Sequence, residues 1–311
     1  MRAPTLRQLH SFVATVETGS LSAAARVLRI TQPAASQQVK ELERALATRL
    51  LQRGAGPVRP TAAGEAVLLQ ARRVQSAVED LLSAAAAFQG GEIGRVRLGT
   101  GATACIYLLP PLLARMKQRM PGLEIVIATG NTSDMLGRVL SGSLDLALIT
   151  LAGRLDRALE ARRLLVEKLA AYAPAALLPD APSVRPATLA ALPLILYEGG
   201  GATRGLVDAW FRRAALAPRP IMELGSVEAI KVLVESGLGA TILPRSALAP
   251  ADTRPPEGMR VVPLRPAAAR CLAVVLRRDK LRDRGLRVCL EALETAAAGA
   301  QIDLNCPSAQ A

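Results

Sequence analysis

The stretch "ITQPAASQQVKELERAL", Ile30 to Leu46, decides how the first part of the chain folds. Thr31 is a favourable N-cap residue, and Pro33 suits the first turn of a helix, where a missing N–H costs nothing. The turn that follows is polar but uncharged, whereas an ordinary surface helix would carry charges there. Apolar residues recur at helical spacing on the opposite side, at Ala35, Val39, Leu42 and Leu46. The stretch therefore predicts a helix with one core-facing side and an uncharged polar leading end.

Two shorter helices are predicted before this stretch. Leu6, Leu9, Val13 and Val16 have helical spacing, and Thr18-Gly19-Ser20 supplies a C-terminal glycine followed by a new N-cap. Residues 21–28 then form a short Ala-rich helix, and residues 29–31 form a tight turn. After the stretch, residues 50–60 ("LLQRGAGPVRP") predict two short extended pieces around 54–56. The order is that of a helix-turn-helix followed by a hairpin wing.

Positive charge is concentrated at this end of the chain. Of the net charge of +13, residues 1–60 hold +6, from nine basic and three acidic residues. A basic module with an uncharged helix end fits DNA, because arginine and lysine contact phosphates while glutamine, serine and proline can contact base edges in the major groove. The predicted DNA-binding residues are Arg26, Arg29, Thr31, Gln32, Pro33, Ser36, Gln37, Lys40, Arg53 and Arg59.

Residues 61–89 predict one long helix without proline. Its apolar residues are spaced alternately by four and three, which is a heptad pattern, at Val67, Ala71, Val74, Val78, Leu81, Ala85 and Phe88. The pattern favours pairing with a second copy of the chain. The alternative is a helix that packs on its own domain.

From residue 95 onward the sequence alternates between strands and helices. The first unit has strands at 95–100, 123–130 and 144–150, with helices over about 105–119 and 132–140 between them. A second unit follows over residues 169–244, the segments 259–264 and 270–278 return the chain, and 285–298 is a closing helix. This alternation predicts α/β units with parallel strands.

Polar and glycine-rich turns follow the predicted strands. In such sheets a ligand binds at the carboxyl ends of the strands, where helix N-termini offer free N–H groups. Arg204 adds a cation, so the turns suit a small anion, most simply a carboxylate. The candidate residues are Thr100, Gly101, Ala102, Thr103, Gly130, Asn131, Thr132, Thr150, Gly200, Gly201, Thr203, Arg204, Gly225 and Ser226.

The chain resembles the LysR-type transcriptional regulators. The resemblance is carried by "FVATVETGSLSAAARVL" (12–28), "TQPAASQQVKELERAL" (31–46) and "RPTAAGEAVL" (59–68), and by the pattern of the later α/β units. The chain departs from the family pattern at two positions, with Ala47 in place of a glycine and Leu51 in place of a phenylalanine.

The resemblance implies an α+β multidomain protein. Expected are a winged helix-turn-helix domain at 1–60, a linker and dimerisation helix with a hinge at 61–90, and a two-lobed α/β effector domain of periplasmic-binding-protein type at 91–311. Lobe I is expected at about 91–165 and 266–300, and lobe II at about 166–265. The implied partners are double-stranded promoter DNA, a small effector held by the turns above, and further copies in a dimer of dimers. Contact with RNA polymerase is left open, and no cofactor is implied.

Other functions have weaker support in the sequence. "GTGATA" (99–104) fits a dinucleotide fingerprint, but the second strand ends in "ATGN" without the required carboxylate. The single histidine, His10, has no G-x-S-x-G serine nearby, so hydrolysis is not favoured. Four separated cysteines give no metal motif, although Cys105, near the cleft, leaves a redox role open. A DNA-binding protein with an occluded cleft is a further alternative.

The sequence also predicts where the protein resides. It begins without the apolar core of a signal peptide, and its longest uncharged run, residues 98–114, is broken by glycines and prolines. A cytoplasmic protein without a membrane segment is therefore expected.

Overall fold

A computed structural model describes residues 3–52, 56–88, 94–248, 255–280 and 283–299 of the chain. The chain divides into two compact units, residues 1–91 with 140–143, and residues 92–139 with 144–311. Among the described residues, no helix combines the length and the apolar composition needed to cross a membrane.

The N-terminal unit is helical, with α1 at Leu6–Thr18, α2 at Leu21–Leu28, α3 at Gln32–Ala45 and α4 at Ala62–Phe88. The first three helices pack around a small core to which α4 contributes its first turns. Side chains from α1, α3, the start of the wing and α4 meet there, at Phe12, Val13, Val39, Leu42, Leu50, Leu68 and Ala71.

The helices begin and end at capping residues, and three of these, Gly19, Ser20 and Thr31, are predicted from the sequence. Thr5 forms a capping box with Gln8, and the hydroxyls of Ser20 and Thr31 accept hydrogen bonds from N–H groups in the first turns of α2 and α3. Gly19 ends α1 with φ +65°, a conformation that glycine adopts without strain. The tight turn into α3 places Arg29 at φ +55°. The two helices of the helix-turn-helix are thus set by local signals.

The predicted wing is held by backbone hydrogen bonds. Gln52 N–H donates to the Arg59 carbonyl at 2.8 Å, and Thr61 N–H donates to the Leu50 carbonyl at 2.9 Å. The Glu43 carboxylate, on α3, accepts from Leu50 N–H at 2.7 Å and so ties the base of the wing to that helix. The tip of the wing, including Arg53, lies outside the described residues.

The heptad pattern of α4 has two different parts. Ala71 is buried and Val67 packs against the core of the N-terminal unit, so this end of the helix does pack on its own domain. Further along, Val74, Leu81 and the neighbouring Leu82 are 39%, 65% and 62% exposed. The side chain of Phe88 lies outside the described part of the chain. Among the described side chains, the exposed apolar stripe of α4 therefore begins at Val74, near the middle of the helix.

The C-terminal unit contains the α/β part of the chain. Its strands are β1 Arg95–Thr100, β2 Glu124–Thr129, β3 Leu146–Thr150, β4 Leu159–Pro174, β5 Ile195–Tyr197, β6 Met222–Leu224, β7 Thr241–Pro244, β8 Met259–Pro263 and β9 Ala269–Arg277. Its helices are α5 Ala102–Tyr107, α6 Leu109–Arg119, α7 Thr132–Leu140, α8 Pro186–Ala190, α9 Ala202–Arg212, α10 Val227–Glu235, α11 Arg245–Leu248 and α12 Arg284–Gly299.

The main sheet is mixed rather than parallel. Its order is β2-β1-β3-β9-β4-β7, with β8 also paired to β4, while β5 and β6 pair separately. The β1–β2, β1–β3 and β5–β6 pairs are parallel, as the alternation predicts, but β9 is antiparallel to β3 and β4. The long strands β4 and β9 cross from one half of the unit to the other, which strand–helix alternation alone does not predict.

The helix predicted over about 105–119 is wrong in its extent. The structure has two helices there, α5 and α6, because Pro110 and Pro111 cannot donate backbone hydrogen bonds and instead occupy the first turn of α6.

The unit has two lobes with separate cores. Lobe I is built on β1, β2, β3 and β9, with a core that includes Leu98, Met116 and Leu290. Lobe II is built on the later half of β4 with β5–β8, and its cores include Trp210 and Ile230. Because β4 and β9 run through both lobes, the lobes share a continuous backbone connection and leave a cleft at the ends of the parallel strands.

Candidate functional site

The outward face of α3 carries the side chains predicted to contact bases. Thr31, Gln32, Pro33 and Gln37 are exposed and Ser36 is half-buried. On the opposite face Ala35, Val39 and Leu42 are buried in the core of the unit. The structure therefore leaves the uncharged leading end of α3 accessible; its contact with DNA stays a prediction.

Cations surround this face. Arg26, Arg29, Lys40 and Arg59 are all exposed, and none of them forms an ion pair with another described residue. Such side chains are available for phosphate contacts, which need no sequence-specific partner.

One side chain of the outward face is oriented by a neighbour. Gln37 Nε2 donates to Glu41 Oε1 at 2.8 Å, and Gln8 Nε2 donates to the other carboxylate oxygen at 3.3 Å. Glu41, one turn further along α3, therefore fixes the amide nitrogen of Gln37. The amide oxygen of Gln37 remains available as an acceptor.

A cavity of about 480 Å³ lies between the two lobes of the C-terminal unit. Its volume suits a small molecule. The structure brings eleven of the fourteen predicted effector residues into its lining, namely Gly101, Ala102, Thr103, Gly130, Asn131, Thr132, Thr150, Gly201, Thr203, Arg204 and Gly225.

Three predicted residues are placed elsewhere. The hydroxyl of Thr100 is buried and donates to the Leu148 carbonyl at 2.9 Å, so it belongs to the sheet. Ser226 caps α10 by accepting from Ala229 N–H. Gly200 adopts φ +85° in the preceding turn and does not line the cavity. These residues shape the turns, and nothing in the geometry directs them toward a ligand.

The lobes are joined across the cavity by contacts from α5. The Thr103 and Tyr197 hydroxyls are 3.0 Å apart, and burial raises the pKa of Tyr197, so its phenol remains neutral. One turn along α5, the Tyr107 hydroxyl donates to Glu228 and accepts from Lys231 Nζ at 2.9 Å. One face of α5 thus contacts two elements of lobe II.

Arg204 is not a free cation. Its Nε donates to Asp208 and its Nη1 to Glu223, both at 2.8 Å, and Nη1 also donates to the Tyr197 carbonyl. Two carboxylates therefore offset its charge before any ligand binds.

A second arginine, absent from the residues predicted from the sequence, reaches the cavity. The side chain of Arg270 is only 4% exposed. Its Nε and Nη2 approach the same oxygen of Glu167, at 2.8 Å and 2.7 Å, and its Nη1 donates to the Thr203 hydroxyl at a long 3.4 Å. Nη2 is fully buried beside Glu167, and its contact with the carboxylate is an ion pair rather than a well-directed hydrogen bond. Arg270 and Thr203 both line the cavity, and Nη1 is the guanidinium nitrogen that is only weakly bonded there.

Two carboxylates also line the cavity. Asp134 and Glu198 are exposed at its rim. A Cβ on Gly130 would come within 2.9 Å of Asp134 Oδ2, and one on Gly225 within 2.9 Å of Glu198 Oε1. The two glycines therefore allow these carboxylates to lie close against the backbone.

Two of the lining residues that the sequence analysis missed could have been predicted from the sequence. Tyr197 and Glu198 end the strand before the turn "GGGATR", so the strand-end rule applied to the other turns would have included them. Arg270 carried no comparable signal. It reaches the strand ends because β9 is antiparallel to β3, with Leu272 opposite Thr150.

The described cysteines are free thiols. Cys105 is half-buried, while Cys271 and Cys289 are buried. Burial raises the pKa of Cys289 to about 12, which keeps it protonated. Cys306 lies outside the described residues. The redox role left open for Cys105 remains untested.

Comparisons with known protein families agree with this architecture. Residues 6–65 match the bacterial regulatory helix-turn-helix protein, lysR family, and residues 89–298 match the LysR substrate binding domain. The HTH-type transcriptional regulator CfxR of Cupriavidus necator is 34% identical over 249 residues, which cover 78% of this chain and 76% of CfxR. The HTH-type transcriptional activator CmpR of Synechocystis is 34% identical over 269 residues, covering 80% and 82% of the two chains.

Solved structures share the fold over almost the whole length. Full-length OxyR from Pseudomonas aeruginosa superposes with a TM-score of 0.71 and 25% identity, covering 94% of this chain and 98% of OxyR. CbnR in complex with its target DNA superposes with a TM-score of 0.65 and 23% identity, covering 94% and 99%. With two matching domains and relatives that align over most of its length, this chain belongs to the LysR family of transcriptional regulators: it is a DNA-binding regulator with an effector-binding domain, and not an enzyme.

Proposed function

We propose that this regulator recognises promoter DNA through the leading end of α3 and responds to a small anionic effector bound in the cavity between its lobes. Gln32, Pro33, Ser36 and Gln37 contact bases, while Arg26, Arg29, Lys40, Arg53 and Arg59 contact phosphates. Because its partner is promoter DNA, the protein acts in the cytoplasm.

The exposure of the outward face of α3 supports the DNA-binding part. A recognition helix must present short polar side chains to base edges while its other face stays in the core. Gln32 can form two hydrogen bonds with adenine, and Pro33 can pack against a thymine methyl group. A twofold assembly needs dyad-symmetric half-sites, so the operator is expected to be an inverted repeat.

The buried guanidinium of Arg270 is the main support for the proposal that the cavity binds an anionic effector. Its Nη1 makes only a long contact to Thr203, and a ligand carboxylate in the cavity would give it a charge-assisted hydrogen bond. Thr103, Thr203 and the free N–H groups at the start of α9, which has no side-chain cap, supply further donors. The volume of the cavity supports this function over that of a regulator with an occluded cleft.

The contacts of α5 suggest how binding is transmitted. Thr103 lines the cavity and meets Tyr197 of lobe II, so a ligand that bonds to Thr103 competes with or reinforces that contact. An effector shifts the arrangement of the lobes only if it binds one arrangement better than the other. The closure of the lobes would then change the spacing of the DNA-binding domains in the assembly.

The exposed half of α4 supports assembly with further copies. Val78, Leu81, Leu82 and Ala85 fall within one stripe at helical spacing, and a stripe of this kind is normally buried against a partner helix. We propose a dimer formed through the 61–89 helix and a dimer of dimers completed by the effector domains, with contact to RNA polymerase at the promoter.

A cavity-filling variant tests the effector part. Gly201 lines the cavity, has φ −76° and leaves its Cβ position nearly open, so Gly201→Leu fills the cavity without backbone strain. Gly205, one turn along α9, is exposed and open but does not line the cavity, and Gly205→Leu is the matched control.

Thermal unfolding of the full chain with a panel of small organic acids gives the measurement. A ligand at 100 times its Kd stabilises the protein by about 2.7 kcal/mol. We expect at least one acid to raise the Tm of the wild type and of Gly205→Leu but not of Gly201→Leu, with operator binding retained in all three. A shift that survives in Gly201→Leu places the ligand elsewhere.

A further inference from the structure

We propose that the cavity selects a zwitterion, a small molecule that carries one carboxylate and one ammonium group. The inference rests on the proposed effector function: it keeps the carboxylate of that effector and adds an ammonium group, so that the ligand carries no net charge. It follows from the placement of charges around the cavity, where a buried donor site and an exposed acceptor site occur together.

The donor site is formed by Arg270 and Thr203, which both line the cavity. Arg270 is buried, its Nη2 contacts Glu167, and its Nη1 reaches Thr203 only at 3.4 Å. Thr203 lies in the first turn of α9, which contains no acidic side chain and no side-chain cap. A carboxylate placed here would accept hydrogen bonds from a guanidinium, a hydroxyl and backbone N–H groups.

The acceptor site is at the rim. Among the described residues, neither the Asp134 nor the Glu198 carboxylate forms an ion pair or a side-chain hydrogen bond. Asp134 belongs to lobe I and Glu198 to lobe II, and both line the same cavity. Both add negative charge to the exposed rim of the cavity, which would attract a cationic group of a ligand.

The remaining charges argue against a dianion. The charge of Arg204 is offset by Asp208 and Glu223, and that of Arg270 is partly offset by Glu167. A dicarboxylate or a phosphate ester would place its second negative charge near Asp134 and Glu198 without a free cation to receive it. The rim carboxylates thus discriminate against dianions as well as favouring an ammonium group.

Four series of compounds, each with the length of the methylene chain varied, separate these classes. The zwitterions are glycine and its longer ω-amino homologues, together with the common L-amino acids. The comparison compounds are ω-hydroxy acids, unsubstituted monocarboxylates and dicarboxylates of the same lengths. Binding to the full chain is measured by thermal shift and confirmed by isothermal titration calorimetry.

Three variants test whether the rim carboxylates bind the ammonium group of the ligand. Glu198→Gln and Asp134→Asn each remove one rim charge with little change of shape. The matched control is Glu257→Gln, which neutralises an exposed carboxylate of lobe II away from the cavity. Each rim variant should weaken the best zwitterion by about five- to tenfold, since a charge-assisted bond at a partly solvated rim is weaker than a buried one. Monocarboxylate affinity should stay unchanged, and dicarboxylate affinity should rise.

The outcomes separate this inference from the proposed function. It is supported if a zwitterion binds at least about tenfold more tightly than its hydroxy and dicarboxylate counterparts and depends on both rim carboxylates. It is overturned if a monocarboxylate or dicarboxylate binds as tightly as any zwitterion, or if the rim variants behave as Glu257→Gln does; acid binding would then still support the proposed function. Binding by none of the four series overturns both.

Discussion

Replacing Asp145 by asparagine tests whether buried charges hold the strands that carry the cavity. Asp145 stands directly before β3, and its side chain is 7% exposed. Its Oδ1 lies 2.8 Å from Arg97 Nη2 and 2.9 Å from Lys280 Nζ, and its Oδ2 accepts from the Arg97 backbone N–H at 2.7 Å. One carboxylate therefore links β1, the start of β3 and the segment after β9.

The size of the effect follows from burial. Removing one partner of a buried ion pair costs about 3–5 kcal/mol. Asparagine keeps an oxygen that can accept from the Arg97 backbone, so we expect the lower end, about 3 kcal/mol. In a unit of this size 1 kcal/mol shifts the Tm by about 2–4 °C, which predicts a loss of about 6–12 °C.

The effect should depend on pH. Burial alone would raise the pKa of Asp145, but the hydrogen bonds and charges of Arg97 and Lys280 outweigh it and hold the pKa below its ordinary value of 3.8. A carboxylate with a lowered pKa contributes its full stability above the unfolded value and loses it as the pH falls through the folded value. The difference between the wild type and Asp145→Asn should therefore be constant from neutral pH down to about pH 5 and shrink below about pH 4.

Scanning calorimetry of the full chain across this pH range gives the measurement, with Asp279→Asn as the control. Asp279 lies 2.9 Å from Arg277 but is 75% exposed, and surface pairs contribute about 0–1 kcal/mol. If Asp145→Asn costs no more than Asp279→Asn at neutral pH, or if its cost is unchanged at pH 3, the buried carboxylate does not hold these strands together through its charge.

Gln32→Ala should weaken binding to a selected operator by about 1–3 kcal/mol for each base pair it contacts while leaving scrambled DNA almost unaffected; fluorescence anisotropy on both duplexes measures this, and an equal loss on both would rule out base contact. Lys40→Ala should weaken both and lower the salt slope by about one, whereas an unchanged slope would exclude a phosphate contact. Ala47→Gly should raise the free energy of unfolding by about 0.5–1 kcal/mol, because Ala47 has φ +50°; a urea titration showing a loss would contradict this. Leu81→Glu should reduce the assembly to smaller species in light scattering coupled to size-exclusion chromatography, and an unchanged mass would place the dimer interface elsewhere.

The helix-turn-helix could be predicted from the sequence because its signals are local. Ser20 and Thr31 act within three residues of the N–H groups they cap, and Gly19 ends α1 at the predicted position. The sequence also shows that Ala47 stands where the family pattern has glycine. The structure gives this residue a positive φ, a conformation that favours glycine. Helix boundaries that depend on residues close in the sequence can therefore be predicted from those residues.

The lobes were less predictable because their connection is not local. Strand–helix alternation predicts the parallel pairs of β1 with β2 and β3. It contains no information about β4 and β9, which pair antiparallel to each other across more than a hundred residues of sequence. The same antiparallel crossing brings the N-terminal end of β9, and with it Arg270, to the edge where the parallel strands end.

The arginines of the cavity show what cannot be predicted from the sequence, namely which of them is available to a ligand. Arg204 was the natural candidate for a ligand-binding cation, since it follows a glycine-rich turn. The carboxylate of Asp208, four residues later on the same helix, could already have indicated an internal ion pair, and the structure has one at 2.8 Å. Arg270 differs because a single carboxylate, that of Glu167, pairs with it, and its Nη1 makes only a long contact to Thr203. Which arginine is available to a ligand therefore depends on the geometry of its partner, and only the folded arrangement of β4 and β9 determines it.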